Sequence, residues 1–468
     1  MLNILQEIEK KYPVDKIYLN NEQIWPFFRV KYYFSYRDYH SENLDTGSIR
    51  KEPFFQKLKL SKNIFYGWKN WFKKYDYMAI STSSESVTKI INGKYYNRLI
   101  DPIMDELKND NILYIQIPHR KTPHRKHYNI KKIHAKNIVS YYLIYFISYL
   151  FEILPICKYK LNGSEILNAI KKEYNIDIDD DKLIKFYLAE YRAFRFIFQH
   201  MKPKAIFIVC YYSYFGAIKA AKELGIKIIE VQHGRIDREH PSYNFSIKTS
   251  KNLFPDYLFA YGKKDVANFS NSYFIDQKNV IPIGSYYIDY LKESFSPDIK
   301  FQNLINRYSI SVGITLQNTV EKKTIDFVKE AAILDSSILF ILIPRQPVNR
   351  DFSKLDLPDN VLVITYKDFY ELMMYVDYHS TVYSTCALEA PTFGVQNIMI
   401  NINNLSRKTF RASLIDRTTK YADTPEEYLN LIRSMDKLDK ETVYYLNEDV
   451  IMPNYRKNLK NALLQISD

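Results

Sequence analysis

At 468 residues the chain exceeds one ordinary core, given roughly 100–200 residues per domain, so two lobes are the simplest expectation. Its 46% hydrophobic and 25% charged residues exclude wholesale disorder. The formal net charge of +13 implies an anionic counterpart and leaves nucleic acid, an acidic membrane surface and phosphorylated substrates open.

Residues 1–75 are mixed and aromatic, and their pattern assigns no element. YDYMAIS (75–81) reads as a strand, followed by a Ser/Thr-rich turn containing Ser83 and Ser84 and then by a segment, INGKYYNRLIDPIMDEL, with a helical tail. NILYIQIP (111–118) is the next strand, and this alternation belongs to a parallel α/β sheet. The basic run 119–136 then meets NIVSYYLIYFISYLFEILPI (137–156), whose Glu152 and four tyrosines make it a poor spanning helix. An interfacial helix on an anionic leaflet and a core helix behind a solvated basic loop both fit this insertion, 119–156. The acidic NIDIDDD (175–181) directly precedes a good helical segment and reads as a helix N-terminus rather than a metal site.

From 203 onward the pattern sharpens. PKAIFIVC (203–210) is a strand, YYSYFGAIKAAKELG a helix closed by Gly225, and IKIIEVQHG a strand running into a turn. DYLFAYG (256–262) and NVIPIGSYY (279–287) are further short strands, after which the polar stretch 292–308 reads as a linker. The pattern restarts with ISVGITLQN, the helix EKKTIDFVKEAAIL, the strands SILFILIPRQP and NVLVITYK, the helix DFYELMMYV, and DYHSTVYSTCALEAPTFGVQNIMINI. The expected lobes are therefore 1–291 and 309–468, with the last helices crossing back. Three cysteines, Cys157, Cys210 and Cys386, stand far apart in apolar stretches, as buried free thiols do. The N-terminus carries charges where a signal peptide needs its apolar region, so a cytoplasmic protein is expected.

Three constellations carry candidate chemistry. Gln232-His233-Gly234 ends a strand, where an imidazole serves as general base and a glycine admits close approach; Arg235, Arg238 and His240 in the same loop suit an anionic ligand. Ser384 and Thr385 at a strand-to-helix junction suit a phosphate, with Glu389 one turn on to hold a diol. Arg345, at the end of SILFILIP, is a third candidate phosphate contact. The chain lacks GxxxxGK[ST], a GxGxxG after a strand, a GxSxG elbow and zinc-type Cys/His spacing, which counts against kinases, nicotinamide enzymes, serine hydrolases and zinc enzymes.

Taken in order, IEVQHG, DYLFAYG, VIPIGSYY and YSTCALEAPTFGVQNIMI resemble the two-lobed GT-B glycosyltransferases, especially the bacterial enzymes of capsule, O-antigen and teichoic-acid type, over residues 75–405. The resemblance implies two Rossmann-like lobes whose parallel sheets face a central cleft. It implies a nucleotide-sugar donor on the second lobe, with Ser384 and Thr385 on phosphate and Glu389 near ribose, and His233 as the base. Gln232, Gly234, Arg235, His240, Ser83 and Ser84 become possible acceptor or phosphate contacts. Where such transferases often carry His-Pro, this chain has Arg345-Gln346-Pro347, so Arg345 takes over the charge. Neither metal nor cofactor is expected. The implied partners are an oligosaccharide or lipid-linked glycan acceptor and the anionic inner face of the plasma membrane, without nucleic acid. A nucleotide-sugar epimerase and a non-catalytic membrane- or RNA-binding protein remain open as alternatives.

Overall fold

A computed structural model of the chain describes residues 4–40, 62–84, 87–108, 111–118, 127–153, 158–236, 240–345 and 351–467. The basic stretch 119–126, Cys157, Arg238 and the pair Gln346-Pro347 lie outside the described residues.

Two parallel sheets form the frame. The first contains β1 (Tyr77–Thr82), β2 (Ile112–Ile117), β3 (Ile138–Ser140), β4 (Ala205–Ile208), β5 (Lys227–Val231), β6 (Tyr257–Ala260) and β7 (Val280–Pro282), in the order β7-β6-β5-β4-β1-β2-β3. The second contains β8 (Ile310–Thr315), β9 (Ile338–Ile343), β10 (Val361–Val363), β11 (Tyr378–Ser380), β12 (Gln396–Ile400) and β13 (Thr419–Ala422), in the order β10-β9-β8-β11-β12-β13. A parallel strand covered on both faces needs a continuous apolar run, and β4 and β9 are buried at every position. Each apolar side chain so buried contributes roughly 1.5–3 kcal/mol. Strand order reverses between β1 and β4 in the first sheet and between β8 and β11 in the second. Ligand crevices of open α/β sheets form at such switch points, beyond the carboxyl ends of the strands.

The covering helices follow from the sequence pattern. α1 (Trp25–His40) buries Trp25, Phe28 and Tyr32, and with them Arg29, whose Nε donates to Glu9 at 2.5 Å; Glu9 also accepts from Trp25 Nε1 at 3.0 Å. α2 (Tyr142–Ile153) follows β3. α3 (Asp180–Met201) starts at Asp179, whose carboxylate accepts from the Lys182 amide, so the acidic run is a helix cap. α4 (Phe215–Glu223) returns the chain from β4 to β5. α5 (Tyr286–Ser294) leaves the first sheet and α6 (Glu321–Leu334) covers the second. One apolar cluster runs beneath both lobes, joining Ile229 and Phe259 to Leu372 and Phe393 and to the face Tyr455, Leu459 and Leu463 of a last helix.

Two expectations are corrected. The apolar stretch 137–156 is not one helix: its first residues form β3 at the sheet edge, and Tyr141 and Ile144 are buried, while Tyr145, Phe146, Tyr149 and Leu150 are exposed. No helix among the described residues is long and apolar enough to cross a membrane. The supposed linker 292–308 contains a helix, Ile299–Ile305, whose start is fixed by Asp298 accepting from the amides of Lys300 and Phe301. INGKYYN is part of an antiparallel hairpin, Thr88–Ile91 against Lys94–Asn97, because Asn92 and Gly93 both take positive φ in its turn.

Candidate crevice at the junction of the sheets

At the first switch point β4 gives way to Cys210, which takes φ +65, a left-handed conformation that costs a non-glycine residue of order 1 kcal/mol. This turn sets the thiol beside the end of β5, with Cys210 Sγ 3.2 Å from His233 Nε2 and 3.5 Å from Nδ1. The Gln232 side chain staples the His233 turn: its amide donates to Gly234 O at 2.9 Å and its Oε1 accepts from the Tyr261 amide at 2.6 Å. A Cβ added to Gly234 would meet no heavy atom of the described residues beyond its chain neighbours within 4 Å. Burial, and then the charge of Arg98, pull the His233 pKa down to about 4. Its neutral form, the state a general base requires, therefore prevails at neutral pH.

Arg98 follows the hairpin Lys94–Asn97 and crosses to the second lobe. Its guanidinium is 3.8 Å from Glu389 and 5.2 Å from the Tyr370 ring, and both charged side chains are almost wholly buried. The Tyr370 hydroxyl donates to Glu389 Oε1 at 2.6 Å. From the same hairpin, Lys89 pairs with Asp368 at 2.9 Å, and the Tyr287 hydroxyl donates to that carboxylate at 3.2 Å. The structure thus gathers His233 and Glu389 around one buried cation. Sequence reasoning passed over Arg98, Lys89 and Tyr370, since nothing local marks them as partners.

At the second switch point Thr381 Oγ1 donates to Thr315 O at 2.9 Å, and the Tyr383 amide donates to Gln317 Oε1 at 3.0 Å. These bonds hold the turn that presents Ser384 and Thr385. Ser384 Oγ accepts from the Cys386 amide at 3.3 Å, while Thr385 is exposed at the start of α7 (Cys386–Glu389). Arg345 emerges exposed after β9, and its charge is felt at both Tyr383 and Cys386. Burial, then Glu389, push the Cys386 thiol up to about 12. The two thiols expected to be buried, Cys210 and Cys386, are half-buried: Cys210 lies just past β4 and Cys386 opens α7.

Arg235 donates to Thr409 O and lies 5.6 Å from the Phe410 ring, which ties the histidine loop to the second lobe. His240 Nδ1 accepts from the Ser242 amide at 3.2 Å, and burial, then the nearby His233, Arg235 and Arg29, pull its pKa down to about 3. Ser83 is buried, its hydroxyl donating to Ile117 O at 3.3 Å inside the sheet. The Ser84 carbonyl accepts from the amides of Val87 and Thr88 and opens the hairpin.

No family model matches the chain, and no curated protein matches it. Among solved structures, its fold is similar to one from Listeria monocytogenes, provisionally described as a UDP-N-acetylglucosamine 2-epimerase. That comparison has a TM-score of 0.50 and 12% identity, and covers 84% of this chain and 96% of that one. Similarity of the same degree links it to the spinosyn rhamnosyltransferase SpnG, with a TM-score of 0.50, 10% identity, 83% of this chain and 99% of that one. The two parallel sheets, each with a reversal of strand order, define a two-lobed α/β protein with a GT-B-like fold.

Proposed function

We propose that this protein is a glycosyltransferase that moves a sugar from a nucleotide-activated donor to a hydroxyl of a surface glycan, of capsule, lipopolysaccharide or O-antigen type. The observation that carries this reading is the placement of His233 at the end of β5, within reach of the charge of buried Arg98, which itself lies 3.8 Å from Glu389 on the second lobe. In this reading the donor phosphates lie against Arg345, Ser384, Thr385 and the amides that follow. Stabilising charge as it develops on the departing phosphate is the largest service these donors render. His233 takes the proton of the acceptor hydroxyl as that oxygen attacks the sugar carbon and the bond to phosphate breaks. A bound anion offsets the Arg98 charge, so the imidazole becomes more basic when the donor is in place. These side chains supply both the base and the phosphate donors, so the mechanism calls on neither metal nor cofactor.

The acceptor is an oligosaccharide or a lipid-linked glycan, and the protein works at the cytoplasmic face of an anionic membrane. Support comes from an exposed apolar patch: Tyr145, Phe146, Tyr149 and Leu150 on α2, beside a segment carrying Phe65, Trp68 and Phe72 among exposed lysines 62, 69, 73 and 74. Aromatic side chains with interspersed lysines suit shallow burial in acidic headgroups better than binding to nucleic acid. Sedimentation with phosphatidylglycerol-containing vesicles, lost in Phe146→Glu/Leu150→Glu, is the expected result.

The same two-lobed fold serves an epimerase and a transferase among solved structures, so acceptor-free epimerisation is the second reading. A thermal-shift screen against CMP, CDP, UDP, GDP and dTDP tests the donor site, because a ligand that binds only the folded state raises Tm. One nucleotide should shift the wild type and not Ser384→Ala/Thr385→Ala; no shift with any of them sinks the donor-site assignment. The matching nucleotide sugars, incubated without acceptor, then separate the readings: an epimerised product identifies the epimerase, and its absence together with acceptor-dependent release of nucleotide identifies the transferase.

A further inference from the structure

Because the first sheet is parallel and His233 follows the carboxyl end of β5, every strand begins at the end of the sheet away from the histidine turn. Along one half of it, β4-β1-β2-β3, the described residues among the four that precede each strand hold six lysines and one carboxylate, Asp76. The lysines are Lys73, Lys74, Lys108, Lys136, Lys202 and Lys204, and all are exposed. Along the other half, the four residues preceding each of β5, β6 and β7 hold Lys278 against Glu223, Asp256 and Asp276. A lysine-rich composition would charge both halves alike, so the excess belongs to this one.

The strand starts do not depend on these charges. Backbone bonds tie them together: the Lys204 amide donates to Asp76 O at 2.7 Å and the Lys227 amide to Lys204 O at 3.3 Å. Asp76 lies 3.3 Å from Lys204 Nζ with both side chains in solvent, where such a pair neutralises little. Asp105 and Glu106, in the helix Asp101–Glu106 that precedes β2, are engaged by His134 at 2.6 Å and Lys460 at 3.8 Å. Strands about 4.8 Å apart place the four starts within roughly 15 Å, and at a screening length of about 8 Å neighbouring columns of charge act together. The belt also runs into an apolar rim: Phe72, 76% exposed, directly precedes Lys73, and Asn70 of the same segment donates to Ile138 O at the start of β3 at 3.1 Å. None of the six cations is an arginine. Geometric recognition of phosphates, as in nucleic acid, draws on arginine's bidentate fork, whereas a diffuse layer of acidic headgroups needs only point charge.

We propose that this belt docks on an anionic lipid leaflet and holds the crevice away from it. The six residues of β1 place its carboxyl end about 20 Å from its start. The inference rests on the membrane reading, to which it adds a second, electrostatic contact and an orientation.

The test is sedimentation of the full chain with phosphatidylcholine vesicles, with and without phosphatidylglycerol, beside titration with single-stranded RNA. Lys108→Gln/Lys202→Gln/Lys204→Gln removes three exposed charges, each worth roughly five-fold near an acidic surface. Affinity for phosphatidylglycerol vesicles should therefore fall roughly a hundred-fold at unchanged Tm, and wild-type binding should weaken as salt rises. Acetylation by a soluble succinimidyl ester, read by mass spectrometry, should find Lys108, Lys202 and Lys204 protected by vesicles. Exposed Lys408, next to the Thr409 carbonyl that holds the histidine loop, should stay reactive. Vesicle binding lost in Phe146→Glu/Leu150→Glu yet unchanged in the lysine variant would overturn the belt and leave the membrane reading standing. A wild type that binds no vesicle overturns both. Protection of Lys408 in place of the belt lysines, or a wild-type preference for RNA that the lysine variant loses, would also overturn the proposal.

Discussion

Glu230 offers a sharp test of the electrostatics behind the histidine turn. It lies on β5 with no exposed surface, accepting from the Tyr211 amide at 3.1 Å and the Tyr243 hydroxyl at 2.7 Å, while its Oε2 has no partner. Burial raises its pKa from 4.5 to about 8, although the two hydrogen bonds oppose the rise. The sign follows from proton counting: between pH 4.5 and 8 the unfolded chain has lost this proton and the folded chain keeps it, so stability falls as pH rises. Each pH unit inside that window costs about 1.4 kcal/mol, tapering near its upper end, which gives about 2 kcal/mol lost between pH 6 and pH 8. Glu230→Gln keeps the acceptor oxygen and removes the titration. Urea unfolding of both proteins at pH 6 and pH 8 yields a difference of differences in which any fixed packing cost of the glutamine cancels. The wild type should lose about 2 kcal/mol more than the variant over that interval. Identical pH dependence in the two proteins would refute a neutral buried Glu230.

Further outcomes follow from the crevice. His233→Ala should abolish turnover with the fold intact, and survival of activity within a few-fold would remove His233 as the base. In the wild type the acid limb of kcat/KM should lie near pH 4, the value in the free protein, whereas the limb of kcat should lie at higher pH once a donor anion offsets Arg98; coincident limbs would contradict that coupling. Arg98→Met leaves Glu389 buried without its cation and should cost roughly 3–5 kcal/mol, with most of it recovered by adding Glu389→Gln, as read by urea unfolding. A Cβ at Gly262 would come within 2.3 Å of Asp449 O, so Gly262→Ala should lower Tm through backbone displacement alone.

Much of the frame was legible in the sequence. Strands buried on both faces must be short apolar runs, and turn residues punctuate them, so β1, β2, β4, β5, β6, β8 and β9 each coincide with a run read from the pattern. The edge strand β3 was hidden because three residues of strand beside an apolar helix look like more helix. The hairpin was missed because its turn, Asn92-Gly93, sits among tyrosines without strict alternation. His233 stood out at a strand end. Its neighbour Cys210 could not be seen, because the contact arises from a left-handed turn at the point where strand order reverses. Arg98 and Lys89 were invisible for a related reason: their partners belong to the other lobe, and charge pairs between lobes leave no periodic trace.

The last helix, α8 (Tyr455–Ser467), packs back on the first sheet. The Tyr455 amide donates to Asp289 at 2.7 Å, Lys227 Nζ donates to Ile466 O at 2.7 Å, and Leu459, Ala462 and Leu463 close over the apolar residues of β5 and β6. During synthesis, the part of this cover that α8 supplies therefore arrives only after the second sheet has been made. Domains elsewhere tend to fold as units while the chain grows, but here the early lobe is completed by late sequence. Folding of the two lobes is thereby coupled in time, because the apolar cluster that holds Ile229 and Phe259 also takes in Tyr455, Leu459 and Leu463 of α8.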